Sequence, residues 1–225
     1  KLATQIKSSG ERCDRFLNWN VGMKPYQAGK GVPKQTKQDV QNRKFDSDIK
    51  VDNSYRQYVR GADFEQFLVR PLQERWIKYG PWLAEPRIGA QFDNPKKILV
   101  RQTGDSLIAA IDRSRLICMN NVHVGVAISE DLNVEYILGV LNSALMNWVY
   151  HSLNPEMGEA LAEVKKENVA RLPIIRESAA NSRLVEAIAR HASRLEDLRL
   201  RSYNSRTEME RTQLARRETV EMAGL

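Results

Sequence analysis

The chain has 225 residues, 42% of them hydrophobic, with a mean hydropathy of −0.52, enough to bury a core in one domain plus an appendage. No run approaches the roughly 20 apolar residues of a membrane span, and Cys13 and Cys118 are too few and too far apart for a disulfide framework or a metal knuckle, so the cytoplasm is the plain location. The net charge of +7 favours an anionic partner, and residues 1–50 hold most of the excess, with eleven Lys/Arg against five Asp/Glu.

The chain starts Lys1-Leu2-Ala3-Thr4, with neither an initiator Met nor an apolar signal core, which suggests a piece taken from inside a longer polypeptide. From Gly22 to Lys50, glycines and prolines punctuate a basic segment without apolar periodicity, which predicts a long loop. Tyr55 to Glu65 reads as a short strand or turn centred on Gly61, and Phe67 to Trp82 has no clean period. The β-branched runs Lys97–Arg101, Leu107–Asp112 and Val122–Ile128 predict strands of a buried sheet, the first two joined by a hairpin-like turn over 102–106.

Val134, Ile137, Leu138, Leu141, Leu145, Trp148 and Val149 recur at helical spacing after Asn133, a good N-cap, which predicts one amphipathic helix over 134–151 with Leu138, Leu141, Leu145 and Trp148 in the core. A second helix is expected at about 159–169, stopped at Leu172-Pro173 because proline lacks the donor that continuation needs. Leu184, Ile188, His191, Leu195 and Leu198 then form a narrow seam on a charged background, the pattern of a helix packed along another helix.

Catalytic signatures are scarce. Asn94-Pro95 and Asn154-Pro155 each lack the second proline and the aromatic residue of an adenine methyltransferase motif, and Gly29-Lys30-Gly31 lacks the spacing of a phosphate-cradling loop. Glu163-Val164-Lys165 has the carboxylate-x-lysine form of a nuclease core but falls within the expected second helix, where Glu/Lys pairs serve as solvated surface. His123, His151 and His191 show no ligand spacing, and structural roles suit all three.

The front segment offers more. Lys24, Lys30, Lys34, Lys37, Arg43 and Lys44 could each neutralise a phosphate, with Tyr26 as the aromatic among them and glycines permitting close approach to a duplex. Gln35, Thr36, Gln38, Gln41 and Asn42 could read base edges, since the amide matches the donor–acceptor pair of adenine.

Over roughly residues 20–175 the chain resembles the TaqI-like specificity domain at the C-terminal end of type IIG restriction-modification enzymes and related adenine-specific DNA methyltransferases. The motifs are GMKPYQAGKGVPKQT from Gly22, YVRGADF from Tyr58, WLAEPR from Trp82, PKKILVRQTGDSLIAAID from Pro95, NNVHVGV from Asn120, YILGVLNSALMNWVYH from Tyr136 and AEVKKENVARLPI from Ala162. The resemblance implies an α+β target-recognition domain over 1–175, a small mixed β-sheet packed by helices, followed by a C-terminal helical segment over 176–225. It implies a non-catalytic chain that selects a double-stranded DNA sequence for methyltransferase and nuclease domains of the same polypeptide. Those domains, not this chain, would use S-adenosylmethionine and magnesium. Arg60, Arg87, Arg101, Gln102 and Thr103 join the DNA face on this view, while Arg60 and Arg101 have an alternative in ion pairs with Asp63 and Asp112. The helical tail suggests packing on a neighbouring domain or self-association. A nuclease fragment and a helical interaction scaffold are the competing readings.

Overall fold

The computed structural model describes residues 2–70, 75–153 and 162–225. In chain order the elements are α1 (Leu2–Ser9), β1 (Glu11–Arg12), β2 (Leu17–Val21), α2 (Lys37–Gln41), β3 (Asp46–Ser47), β4 (Tyr55–Val59), β5 (Phe64–Glu65), β6 (Leu68–Val69) and β7 (Trp76–Lys78). There follow β8 (Lys97–Arg101), β9 (Ala109–Asp112), β10 (Ile117–Cys118), β11 (Val122–Ala127), α3 (Val134–Asn142), α4 (Ala144–Leu153), α5 (Lys166–Ala170), β12 (Pro173–Ile174), α6 (Ser182–Asn204) and α7 (Glu208–Met222). The fold is α+β, as the family resemblance implies.

The central sheet is antiparallel, in the order β2-β11-β8-β9. Its strands are apolar on both faces because both are covered. Ile98, Val100, Ala109 and Ile111 face a large core shared with α3, α4 and α6. Leu99, Ala110, Val122, Val124 and Val126 face a second core with Val59, Phe64, Leu116 and Cys118. The second sheet, β10-β4-β7-β3, is mixed, since β10 runs parallel to β4 while β7 is antiparallel to both β4 and β3. Side chains alternate across a strand, so Val59 and Cys118 meet the central sheet while Tyr58 and Ile117 enter a third core with Met23, Phe45, Ile77 and Leu83. The result is a stack of helices, central sheet, second sheet and, outermost, the basic segment.

Several expectations need correction. The segment 22–50 is not one structureless loop. It contains α2, whose N-cap Thr36 and N3 residue Asp39 form a reciprocal capping box, and the edge strand β3, paired with β7. The expected helix over 134–151 is two helices. Ser143 leaves helical geometry at φ −67°, ψ 150°, its hydroxyl donating to the Val140 carbonyl at 2.8 Å and accepting from the Met146 amide at 3.1 Å. This re-phases the second helix, so Met146, Val149 and Tyr150 are buried while Leu145 and Trp148 lie 55% and 46% exposed. Leu138 and Leu141 are in the core as expected.

Residues 159–161 of the second expected helix lie outside the described residues, as does the Asn154-Pro155 pair. Residues 162–165 are extended rather than helical, Glu163 bridging Thr103. Here burial alternates, with Ala162 and Val164 inside and Glu163 and Lys165 outside, a period of two that favours strand geometry over helix. Helix α6 does pack against helices α3 and α7, with Leu195 of the expected seam buried and Ile188 packed against the large core; the other buried positions are Val185, Ala189 and Ala192, and Leu184 is 62% exposed. Close approach to α3 is made at Gly139, where a Cβ would stand 2.7 Å from Ile188.

Candidate nucleic-acid interface

The basic segment rests on the third core. Tyr26 stacks on Phe45 with ring centroids 5.7 Å apart, and its hydroxyl donates to Asp46 at 2.8 Å while accepting from the Phe45 amide at 2.9 Å. Burial, reinforced by the Asp46 bond, raises the Tyr26 pKa, so the phenol stays neutral. Lys24 pairs by backbone with Glu85 at 3.0 and 2.8 Å, its ammonium donating to Gln27 at 2.8 Å. These contacts tie the front of the loop to the 82–85 segment.

Three lysines stand apart. Lys30 and Lys34 are exposed in the turn over 29–35, Lys37 opens α2, and among the described residues none of the three makes an ion pair. The other cations of the segment are engaged. Arg43, at φ 48°, bonds Asp46 at 2.6 Å and lies over the Tyr26 ring at 5.4 Å. Lys44 pairs with Asp39 at 2.9 Å, and that contact together with the Thr36 cap holds the Asp39 carboxyl down at about 2. Arg87 pairs with Glu85. Exposed ion pairs of this kind are weak enough to exchange for a phosphate.

Gln35 is corrected. It is 4% exposed, with its amide committed to backbone on either side, so its edge is not presented to a base. Thr36 is likewise spent on the helix cap. Gln38, Gln41 and Asn42 remain on the exposed side of α2.

The remaining candidates form two further groups. Arg60 pairs with Asp63 at 3.3 Å, the alternative considered for it, and Asp63 also takes Arg75 at 2.6 Å. Burial alone would raise the Asp63 pKa, but the two arginines outweigh it and hold the carboxyl low. Arg101 does not meet Asp112. It donates to the carbonyls of Gly61, at 2.7 Å, and Phe64, and burial followed by repulsion from Arg70 lowers its pKa. Its guanidinium therefore braces the 61–64 turn. Gln102 donates to Glu163 at 3.3 Å and Thr103 is exposed beside it. The structure thus groups the Lys24–Lys44 candidates with Arg87 and sets Arg60 with Arg101, and Gln102 with Thr103, elsewhere.

Sequence reading passed over the aromatic face next to the loop. Lys50 lies over Trp76 at 6.0 Å and Lys78 over Trp82 at 5.1 Å, and the run Trp76-Ile77-Lys78-Tyr79-Gly80-Pro81-Trp82, three aromatics about one lysine and a Gly-Pro turn, carries the signal. Of the histidines, His123 donates to the Val164 carbonyl at 2.6 Å, His151 to that of Asp105 at 3.1 Å, and His191 meets Glu221 at 2.6 Å. Each is engaged within the fold. Among the described residues no three His, Cys, Asp or Glu side chains gather as a metal site, and no helix is long and apolar enough to cross a membrane.

Residues 56–174 match the TaqI-like C-terminal specificity domain family, and the chain belongs to that family. Two solved structures share its fold. One is the Type IIL restriction-modification enzyme MmeI in complex with DNA, at 13% identity and a TM-score of 0.55 over 92% of this chain. The other is a type I restriction-modification system, at 13% identity and a TM-score of 0.50 over 95% of this chain. The chain spans 32% and 44% of those two chains. No curated protein matches the sequence.

Proposed function

We propose that this chain is the target-recognition domain of a restriction-modification enzyme of the type IIG kind, cytoplasmic and non-catalytic by itself, gripping double-stranded DNA for adenine methyltransferase and nuclease domains on the same polypeptide. Membership of the specificity-domain family supports the reading. The observation that carries it to a surface is the trio Lys30, Lys34 and Lys37, exposed and, among the described residues, without ion pairs, on a segment packed over the third core. Phosphates would be met by these lysines, with Lys24, Arg43, Lys44 and Arg87 released from weaker internal contacts, while Gln38, Gln41 and Asn42 supply amides for base edges. Arg60, Arg101, Gln102 and Thr103, grouped elsewhere on the domain, are assigned to secondary contacts with the same duplex. S-adenosylmethionine and magnesium enter only with the catalytic domains, and no residue here is assigned to either. Helices α6 and α7, on the far side of the central sheet, are assigned to contact with the rest of the enzyme or a second copy.

Titration of random and selected duplexes at two salt concentrations tests this. Neutralised phosphates release counterions, so affinity falls steeply with salt, and Lys30, Lys34 and Lys37 changed together to alanine should weaken all sequences alike and lower the salt slope by about 0.9 per phosphate lost. Gln38→Ala should instead relax preference at one base pair. No DNA affinity at low salt would sink the reading. Metal-dependent cleavage abolished by Glu163→Ala would replace it with the nuclease one.

A further inference from the structure

We infer that Gln35 is a positioning residue for the basic loop, a latch that holds Lys30 and Lys34 in one arrangement before DNA arrives. The inference rests on the reading of those lysines as phosphate contacts. Between residues 26 and 44, Gln35 is the one buried residue, flanked by exposed Lys34 and Thr36. Its Nε2 donates to the carbonyls of Pro25 at 2.8 Å and Trp82 at 2.9 Å, and its Oε1 accepts from the Gln27 amide at 3.0 Å. Both donors and the acceptor are used, and one partner, Trp82, lies 47 residues from Gln35 in sequence. An aliphatic side chain of similar size would fill the space, strand the Trp82 carbonyl and the Gln27 amide, and leave the Pro25 carbonyl with only the Ala84 amide at 3.1 Å.

The backbone closes the same loop. Gln35 donates its amide to the Lys30 carbonyl and accepts from Gly29, both at 2.8 Å, while Val32 donates to Pro81 at 2.9 Å. The crest lies so close to the 81–83 backbone that a Cβ on Gly31, at φ 84°, would fall 2.2 Å from the Trp82 carbonyl oxygen. The side chains of Lys30, Val32, Pro33 and Lys34 are all exposed, so none of them anchors the turn. Gln35 does so, and a turn fixed beforehand need not be ordered on binding.

The test measures binding of fluorescein-labelled random-sequence duplex at two salt concentrations. It uses wild type, Gln35→Ala, Gln35→Met, the Lys30→Ala/Lys34→Ala pair, and that pair combined with Gln35→Ala. Both Gln35 variants should bind about tenfold more weakly, with a salt slope reduced toward that of the lysine pair. Gln35→Ala should cost nothing further once both lysines are gone, since residues acting as a unit are non-additive. Wild-type affinity in Gln35→Ala, rescue by Gln35→Met, or a fully additive loss in the combined variant overturns the inference. Should Gln35→Ala fail to fold, Gly31→Ala, which pushes the same turn off Trp82, must show the same non-additivity or the inference is lost. A wild type that ignores DNA, or whose binding survives loss of both lysines, overturns instead the function on which the latch depends.

Discussion

Lys97 and Asp112 pair at 2.6 Å with side chains 0% and 1% exposed, and Asp112 also accepts from the amides of Ser114 at 2.7 Å and Leu116 at 2.8 Å. One carboxylate therefore joins two strands and folds the turn that leads into β10. Lys97→Met should destabilise the protein by about 3–5 kcal/mol in urea unfolding, because it strands a buried charge. Adding Asp112→Leu should not restore full stability, since the Ser114 and Leu116 amides then lose their acceptor. Burial pushes both thiols, Cys13 and Cys118, up to about 12. Neither should react with iodoacetamide in the native protein, and both should react once denaturant is added, as read by mass spectrometry. Partner choice was hard to see in the sequence. Asp112 was open to Arg101, but the β8–β9 register sets Lys97 opposite Asp112 and ends at Val100 opposite Ala109, leaving Arg101 at the other end of the strand. Gln35 misled similarly, because composition marks an amide as polar without saying that backbone carbonyls from 25 and 82 will converge on it.

Strands β8, β9 and β11 were legible because buried strands are continuous apolar runs bounded by turn residues, and α6 because its pattern is long. The break between α3 and α4 was hidden. Ser143 has no intrinsic stop signal, and it ends one helix only because its hydroxyl can serve both the Val140 carbonyl and the Met146 amide. The short strand β3 depends on a distant partner, β7, and β5 and β6, though they pair with each other, are too short to show a period. Gly22 is where the chain crosses from the central sheet to the second. Its amide bonds Val122 at 3.0 Å and the next amide bonds Cys118 at 2.7 Å. A Cβ there would stand 2.2 Å from the Met119 carbonyl oxygen, and that neighbour is backbone that cannot rotate away. Gly22→Ala should cost about 2–3 kcal/mol, seen as a lower thermal midpoint and faster amide exchange in β10.

Across the whole molecule, the bias of charge toward residues 1–50 is visible in composition, and seven of the eleven cations there fall in the basic segment from Gly22 to Lys50. Which lysines lack a partner is not visible, since ion pairing is settled by the turns that bring Asp39 to Lys44 and Asp46 to Arg43. His123 sits between the central sheet and the 162–165 segment. Burial depresses its pKa below the ordinary 6.5, only partly offset by the Val164 carbonyl. The unfolded chain then takes up a proton that the native one refuses, so this contribution is intact above about pH 6.5 and is lost as pH falls through the lower native value. His123→Gln, which keeps a donor for Val164, should flatten the dependence of the urea midpoint on pH between about 7 and 5.

The basic segment is seated on a small core of its own, with two sheets between it and α6–α7. Lys30, Lys34, Lys37, Gln38, Gln41 and Asn42 can therefore drift by mutation at little thermodynamic expense to the root of the domain. New sequence preferences become accessible one exposed side chain at a time, provided the glycines and the amide that shape the tip are kept.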